Sequence, residues 1–114
     1  MSGETFYHAA ELAEFSGTRP LRKEVNGRHV LLIYDDGKLY AFLNQCTHVR
    51  VRMNGARVED GALVCPNHRA RFDLTTGNCL VSPIPGELAP LTRFETRLRD
   101  GSVEIALSER SDRL

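Results

Sequence analysis

Two short segments of the 114-residue chain each place a cysteine close to a histidine. The first segment contains Cys46 and His48 in "CTH", and the second contains Cys65 and His68 in "CPNH". An isolated cysteine is usually a small buried hydrophobic residue, but two Cys–His pairs beside turn or proline residues indicate metal ligation. Thiolate sulfur and imidazole nitrogen suit either tetrahedral zinc or an iron–sulfur cluster.

The spacing of the four residues separates these two metals. Zinc sites usually take C-x2-4-C and H-x3-5-H pairs, whereas the pattern here is C-x-H-x16-C-x-x-H, in which each segment mixes the two residue types. In a Rieske centre two cysteines bind one iron and two histidines bind the other. Each segment could then serve both irons, so the spacing favours this cluster. A zinc-stabilised binding module stays open as an alternative.

Turn signals along the whole chain predict the elements that would position these segments. Five dipeptides end in glycine and tolerate positive φ: Asn26-Gly27, Asp36-Gly37, Asp60-Gly61, Thr76-Gly77 and Asp100-Gly101. Apolar or alternating runs flank two of them, at 29–34 and 38–43 and again at 92–98 and 102–107. A period of two is typical of half-buried antiparallel strands. The sequence therefore predicts an all-β protein with a hairpin at each of these places.

The remaining segments carry weaker signals. "HAAELAEF" (8–15) could form two helical turns, with Ala9, Leu12 and Phe15 on one face. The three prolines of "SPIPGELAP" (82–90) predict an irregular loop. No repeat or linker divides the chain, which predicts one domain, and the last seven residues, "SERSDRL", are expected to be frayed.

Composition restricts the class of partner. Fifteen Lys and Arg balance fifteen Asp and Glu, and this zero net charge gives no support for a nucleic-acid or membrane surface. The N-terminus lacks the basic start and apolar run of a signal peptide, and "VLLIY" is too short to span a bilayer. Three cysteines without a pairing pattern do not suggest a secreted disulfide framework. A soluble, cytoplasmic protein is expected.

The two motifs, followed by "RFDLTTG" (71–77), resemble the cluster-binding loops of Rieske-type [2Fe–2S] proteins. The resemblance extends from "LLIYDDGKLYAFLNQCTH" to the final hairpin and is greatest to ferredoxin components of ring-hydroxylating dioxygenases. It implies a single domain over 1–114 of stacked antiparallel sheets, with a small cluster-binding subdomain of two loops at about 44–86. It also implies that "SPIP" (82–85) covers the cluster.

The same resemblance assigns the ligands of one [2Fe–2S] cluster. It implies that Cys46 and Cys65 bind the inner, buried iron. It also implies that His48 and His68 bind the outer, more exposed iron.

Two departures from high-potential Rieske proteins bear on the reduction potential. Those proteins have a disulfide between the loops, and the matching positions here are Val51 and Asn67. They also place a Ser and a Tyr hydroxyl near the cluster sulfurs, where this chain has Ala70 and Phe72. Because hydrogen bonds to sulfur favour the reduced cluster, their loss predicts a potential at the low end of the Rieske range of roughly −150 to +300 mV.

A third departure concerns two arginines. The family often has glycine at the positions of Arg50 and Arg69. If these positions need positive φ, each arginine costs about 1 kcal/mol. In one interpretation the arginines are solvent-exposed substitutions without a function, fixed by drift within the family. In the other they are cations that favour the reduced cluster and guide an anionic partner.

Six further residues with functional side chains are assigned structural roles: Cys79, His8, His29, Tyr34, Tyr40 and Asp73. Cys79 is expected to be a small buried hydrophobe, and the two tyrosines to pack within the sheet. Asp73 is expected to bond to turn backbone. The two histidines stand outside any constellation and are expected to be structural or solvated.

The family resemblance implies an electron carrier, not an enzyme. It would accept an electron from a flavoprotein reductase and pass it to a terminal oxygenase through transient contacts. The small subunit of an NAD(P)H-dependent nitrite reductase is the alternative within the family. Catalysis by the chain alone is not expected, because a Rieske oxygenase needs a second domain with a mononuclear iron on two His and a carboxylate.

Overall fold

Ten short strands form two antiparallel sheets in the part of the chain that the computed structural model describes, residues 5–45, 52–53, 55–66, 69–82 and 89–107. The strands are β1 (Phe6–Glu11), β2 (Leu21–Val25), β3 (Arg28–Asp35), β4 (Lys38–Leu43), β5 (Arg57–Glu59), β6 (Ala62–Val64), β7 (Arg71–Asp73), β8 (Cys79–Val81), β9 (Arg93–Arg99) and β10 (Ser102–Ala106). The larger sheet has the order β1-β10-β9-β4-β3-β2, and the smaller has the order β5-β6-β7-β8. The predicted all-β class of antiparallel sheets is confirmed.

Both predicted hairpins are present. Asp36 and Gly37 join β3 to β4 with φ of +55° and +78°, and Asp100 and Gly101 join β9 to β10 with φ of +52° and +80°. Two consecutive residues with positive φ match the right-handed twist of the flanking strands. The turn dipeptides therefore predicted these hairpins for the correct physical reason.

The helix predicted over 8–15 is wrong. Phe6–Glu11 is strand β1, which pairs with β10 through a bulge between His8 and Ala10. The segment Leu12–Glu14 forms a single turn of 3-10 helix. A helix of two turns is marginal in isolation, and pairing with the free edge of β10 satisfies the backbone while burying Ala10.

A buried cluster joins the two sheets. Leu31, Ile33 and Phe42 of the larger sheet pack in one cluster with Leu63 and Phe72 of the smaller sheet. The alternate positions of β3 enter a second cluster with residues of β1 and β10, so this strand is buried on both faces. The smaller sheet is thereby fixed on one face of the larger one.

The predicted loop over 82–90 is described only at Ser82, Ala89 and Pro90, which lie outside the strands. The rest of that loop and the last seven residues lie outside the described residues. The smaller sheet falls within the predicted subdomain of about 44–86, but the division into domain and subdomain stays a prediction. No helix among the described residues has the length and apolar character needed to cross a membrane.

Candidate metal centre

One of the four predicted ligands, Cys65, lies within the described residues, whereas Cys46, His48 and His68 lie outside them. Cys65 directly follows β6 and is fully buried. Its backbone N–H donates a 2.8 Å hydrogen bond to the carbonyl of Ala70. Since β6 and β7 are paired neighbours, this bond closes the second motif into a hairpin loop that begins at the cysteine.

The residues around Cys65 are suited to a thiolate that binds a buried metal. Cys65 belongs to the buried cluster that also contains Met53, Ala70 and Phe72, all of them fully buried. Burial in apolar surroundings disfavours a thiolate, whereas a bound metal ion favours it by supplying the compensating charge. The chemistry of this position therefore fits the cysteine side of a Rieske cluster.

The chain that follows the first motif contacts the second. Met53 is buried beside Cys65 in the same cluster. A Cβ placed on Gly55 would lie 4.0 Å from the Cβ and Cγ atoms of Pro66. The described residues on the C-terminal side of the first motif therefore pack against the start of the second.

A buried asparagine closes the base of the first motif. Asn44 is 4% exposed, and its Oδ1 accepts a 2.8 Å hydrogen bond from the N–H of Met53. Its own N–H donates to the carbonyl of His29 at 2.8 Å. These bonds fix the two ends of the segment that contains Cys46 and His48.

The sequence analysis missed this role of Asn44 and gave His29 no partner. Arg52 Nη2 donates to His29 Nε2 at 2.9 Å. Because a guanidinium cannot accept a hydrogen bond, Nε2 of His29 is the acceptor in this contact. The available signal was a polar residue, Asn44, at the end of the apolar run "KLYAFL".

The turn after β7 contacts the larger sheet. Gly77 has a φ of +81°, its N–H donates to the carbonyl of Asp73 at 2.7 Å, and its carbonyl accepts from the N–H of Leu91 at 2.9 Å. A Cβ on Gly77 would lie 2.8 Å from the carbonyl oxygen of Leu91. This close approach ties the turn to the chain that enters β9.

Asp73 bonds within this turn, as predicted. Its Oδ1 accepts from the hydroxyl of Thr75 at 2.6 Å and from the N–H of Thr75 at 2.7 Å. The hydroxyl donor first, and the amide donor second, lower the pKa of Asp73. The carboxylate therefore stabilises the turn that leads to Gly77.

A second carboxylate, that of Glu59, links two strands of the smaller sheet. Glu59 of β5 accepts from Arg57, and Arg71 of β7 donates to both its side chain and its carbonyl at 3.1 Å. The hydrogen bonds from Arg57 and then Arg71 lower the pKa of Glu59. Arg71 thus links two strands that are not neighbours in the sheet.

The positions predicted to set the potential are partly described. Ala70 and Phe72 are fully buried and offer no hydroxyl. Arg69 is exposed and has a φ of +63°, so the condition under which an arginine was expected to be costly holds at this position. Arg50, Val51 and Asn67 lie outside the described residues.

The other structural assignments are largely confirmed. Cys79 is only partly buried but packs against the cluster that joins the sheets, as does Tyr40. The ring of Tyr34 lies 5.9 Å from that of Phe15, centroid to centroid. His8 contacts the hydroxyl of Ser102 at 2.8 Å.

Comparisons with a family model, with related sequences and with solved structures address the class of protein. The model of the Rieske [2Fe–2S] domain matches residues 5–95. The ferredoxin component of the naphthalene 1,2-dioxygenase/salicylate 5-hydroxylase systems of Ralstonia sp is 37% identical over 65 residues, 57% of this chain and 62% of that protein. The ferredoxin component of the naphthalene 1,2-dioxygenase system of Pseudomonas aeruginosa is 35% identical over 81 residues, 71% of this chain and 78% of that protein.

The fold comparison agrees. The ferredoxin of carbazole 1,9a-dioxygenase from Nocardioides aromaticivorans IC177 superposes with a TM-score of 0.80 at 22% identity, covering 94% of this chain and 100% of that one. The fold and the site together define an iron–sulfur protein of the Rieske class.

The chain belongs to the Rieske [2Fe–2S] domain family. The predicted resemblance to ferredoxin components of ring-hydroxylating dioxygenases is confirmed, and so is the predicted cofactor, one Rieske [2Fe–2S] cluster. The family match excludes the zinc-stabilised module.

Proposed function

We propose that this chain is an electron carrier that accepts single electrons from a flavoprotein reductase and passes them to a terminal oxygenase. The observation that carries the proposal is the Rieske domain match over 5–95. It is supported by relatives that are named as ferredoxin components of dioxygenase systems. The proposed location is the cytoplasm.

Four residues are proposed to hold the cluster: Cys46 and Cys65 on the inner iron, and His48 and His68 on the outer iron. The buried, apolar position of Cys65 supports its assignment. A cluster with this ligand set supplies reversible one-electron transfer at a higher potential than an all-cysteine cluster.

The residues of the chain itself exclude water and orient the ligands. The buried cluster keeps solvent from Cys65, and the bond from its N–H to Ala70 fixes the start of the second loop. The bond from Met53 to Asn44 fixes the base of the first loop. Fixing the described ends of both loops would help to hold the ligands in one geometry in both oxidation states, which favours fast transfer.

The ligand assignment is tested by substitution and spectroscopy. The purified protein should contain two irons and two labile sulfides per chain and give a Rieske-type EPR signal after dithionite reduction. Cys46→Ser and Cys65→Ser should abolish the cluster. Cys79→Ser is the matched control and should retain it, because Cys79 lies on β8, outside both motifs. Stoichiometric zinc without iron, or a Cys65→Ser variant with an intact cluster, would contradict the assignment.

The carrier role is tested by reconstitution. The chain is mixed with NAD(P)H, a flavoprotein reductase and a Rieske oxygenase encoded beside it, and product formation is measured with and without the chain. Turnover should depend on the chain and fail with the cluster-free Cys65→Ser variant. Electron delivery to a nitrite reductase, with none to the oxygenase, would instead support the alternative within the family.

A further inference from the structure

A groove of about 530 Å³ runs along β2 on the larger sheet. It begins at the segment after the 3-10 turn and ends at Asn44 and Arg52. These two residues bracket Cys46 and His48 in the chain.

The groove follows β2, the edge strand of the larger sheet, and residues from both faces of β2 line it. Arg22 and Glu24 of β2 pair with Leu31 and His29 of β3 and share their face. Leu31 on that face packs into the cluster that joins the two sheets. Arg22 and Glu24 therefore lie on the face that carries the smaller sheet, and the groove ends at Asn44 and Arg52, which flank the first motif in the chain.

The charges that line the groove are mostly positive and mostly uncompensated. Arg19 and Arg22 are exposed, and neither forms an ion pair with a residue that the structure describes. Arg52 is also exposed and donates to Nε2 of His29. The opposing carboxylate is Glu24.

A further cation in the groove is already neutralised. Lys23 donates to Glu14 at 2.6 Å, and this ion pair closes one end of the groove. The hydrogen bond from Lys23 lowers the pKa of Glu14, and the backbone N–H of Glu11 lowers it further. Three arginines against one carboxylate thus remain, in a chain whose net charge is zero.

We propose that this groove, lined by Arg19, Arg22 and Arg52, docks an acidic segment of the terminal oxygenase. The proposal rests on the proposed carrier function and names the chemistry of the partner. Guanidinium groups bind carboxylates through two parallel hydrogen bonds. Complementary charge speeds the encounter and orients the partner, and here it would bring the partner to the base of the first motif.

Binding is measured with a defined probe, a fluorescein-labelled octaglutamate peptide, by fluorescence anisotropy on the holo protein. At an ionic strength of about 20 mM, where exposed charges are weakly screened, Arg19→Gln and Arg22→Gln should each weaken binding about two- to fivefold. Glu24→Gln should tighten it, because it removes the repelling carboxylate from the groove.

Arg99→Gln is the matched control. Arg99 is an exposed arginine at the end of β9, three strands away from β2, so its loss changes the net charge equally. Affinity should stay within the error of wild type. An equal loss in Arg99→Gln and Arg22→Gln, an unchanged Glu24→Gln variant, or no binding by wild type would each overturn the proposal.

The same variants are then tested in stopped-flow transfer from the reduced protein to the oxygenase at low salt. Arg19→Gln and Arg22→Gln should transfer more slowly than Arg99→Gln, and the difference should vanish at high salt. If the groove variants transfer electrons as fast as wild type, the docking proposal is wrong, but the proposed carrier function is not affected. Wild-type protein that shows a normal voltammetric response but no transfer to any partner would instead contradict the proposed function.

Discussion

Replacing Gly77 with alanine should destabilise the protein far more than the same change at Gly101. The two glycines have almost equal φ, +81° and +80°. A Cβ at Gly101 meets nothing within 4 Å, whereas a Cβ at Gly77 lies 2.8 Å from the carbonyl oxygen of Leu91. The comparison therefore isolates the close approach from the cost of positive φ.

The expected magnitude follows from these two contributions. An alanine with positive φ costs about 1–2 kcal/mol, reduced by roughly 0.4–1 kcal/mol because alanine restricts the unfolded chain. At Gly77 the backbone must also move apart, which costs about 1–3 kcal/mol. Loss of the hydrogen bond from Leu91 adds about 0.5–1.5 kcal/mol. Gly77→Ala should therefore be less stable than Gly101→Ala by at least about 1.5 kcal/mol.

The assay is thermal unfolding of the holo proteins, followed by far-UV circular dichroism and by the visible absorption of the cluster. A difference of about 1.5 kcal/mol corresponds to roughly 6 °C for a domain of this size. Cluster absorption should be lost at lower temperature in Gly77→Ala, since this turn packs beside the smaller sheet. Equal midpoints for the two variants would show that the contact with Leu91 carries no stability.

Four further outcomes are expected. Asn44→Ala should reduce cluster retention, because the buried N–H of Met53 loses its acceptor at a cost of about 1–3 kcal/mol. Asn44→Asp keeps a side-chain oxygen and should restore retention. The iron content of the two purified variants is compared, and equal iron content would contradict this. Because the pKa of Asp73 is lowered in the fold, its carboxylate stabilises the protein above the ordinary Asp pKa and this contribution is lost as pH falls through the lowered value. Wild type and Asp73→Asn should thus converge in unfolding midpoint in acid, and a constant gap would contradict this. Ala70→Ser with Phe72→Tyr should raise the cluster potential in protein-film voltammetry, and an unchanged potential would exclude hydroxyl donors as its main determinant. Arg69→Gly should change stability by between zero and about +1.5 kcal/mol. It removes the strain of an arginine at positive φ, but it also makes the unfolded chain more flexible. A clearly lower denaturant midpoint would show that the arginine side chain itself stabilises the protein.

The parts of the fold set by local chemistry were predictable from sequence. The hairpins at Asp36-Gly37 and Asp100-Gly101 follow from dipeptides that adopt positive φ at both positions. The segment 8–15 was not predictable in this way. Its sequence has a helical pattern, but most of the segment instead pairs with β10, a strand about 95 residues further along the chain.

The site shows the same division. Residue types and spacing indicated the cluster, and the glycine usual at the position of Arg69 raised the possibility of the positive φ that is observed there. The bonds from Arg52 to His29 and from Met53 to Asn44 join residues from separate elements. Such contacts depend on how the strands assemble, and no local pattern in one sequence encodes them.

The connectivity of the smaller sheet bears on how the protein acquires its metal. Each of its strands pairs with the next one along the chain, all within Arg57–Val81. The larger sheet, in contrast, needs Phe6 to pair with Ala106. Short-range pairing forms sooner than long-range pairing, and a chain leaves the ribosome from its N-terminus. We therefore expect the hairpin that presents Cys65 to form before the larger sheet closes, so that this ligand is in place while the protein is still partly open.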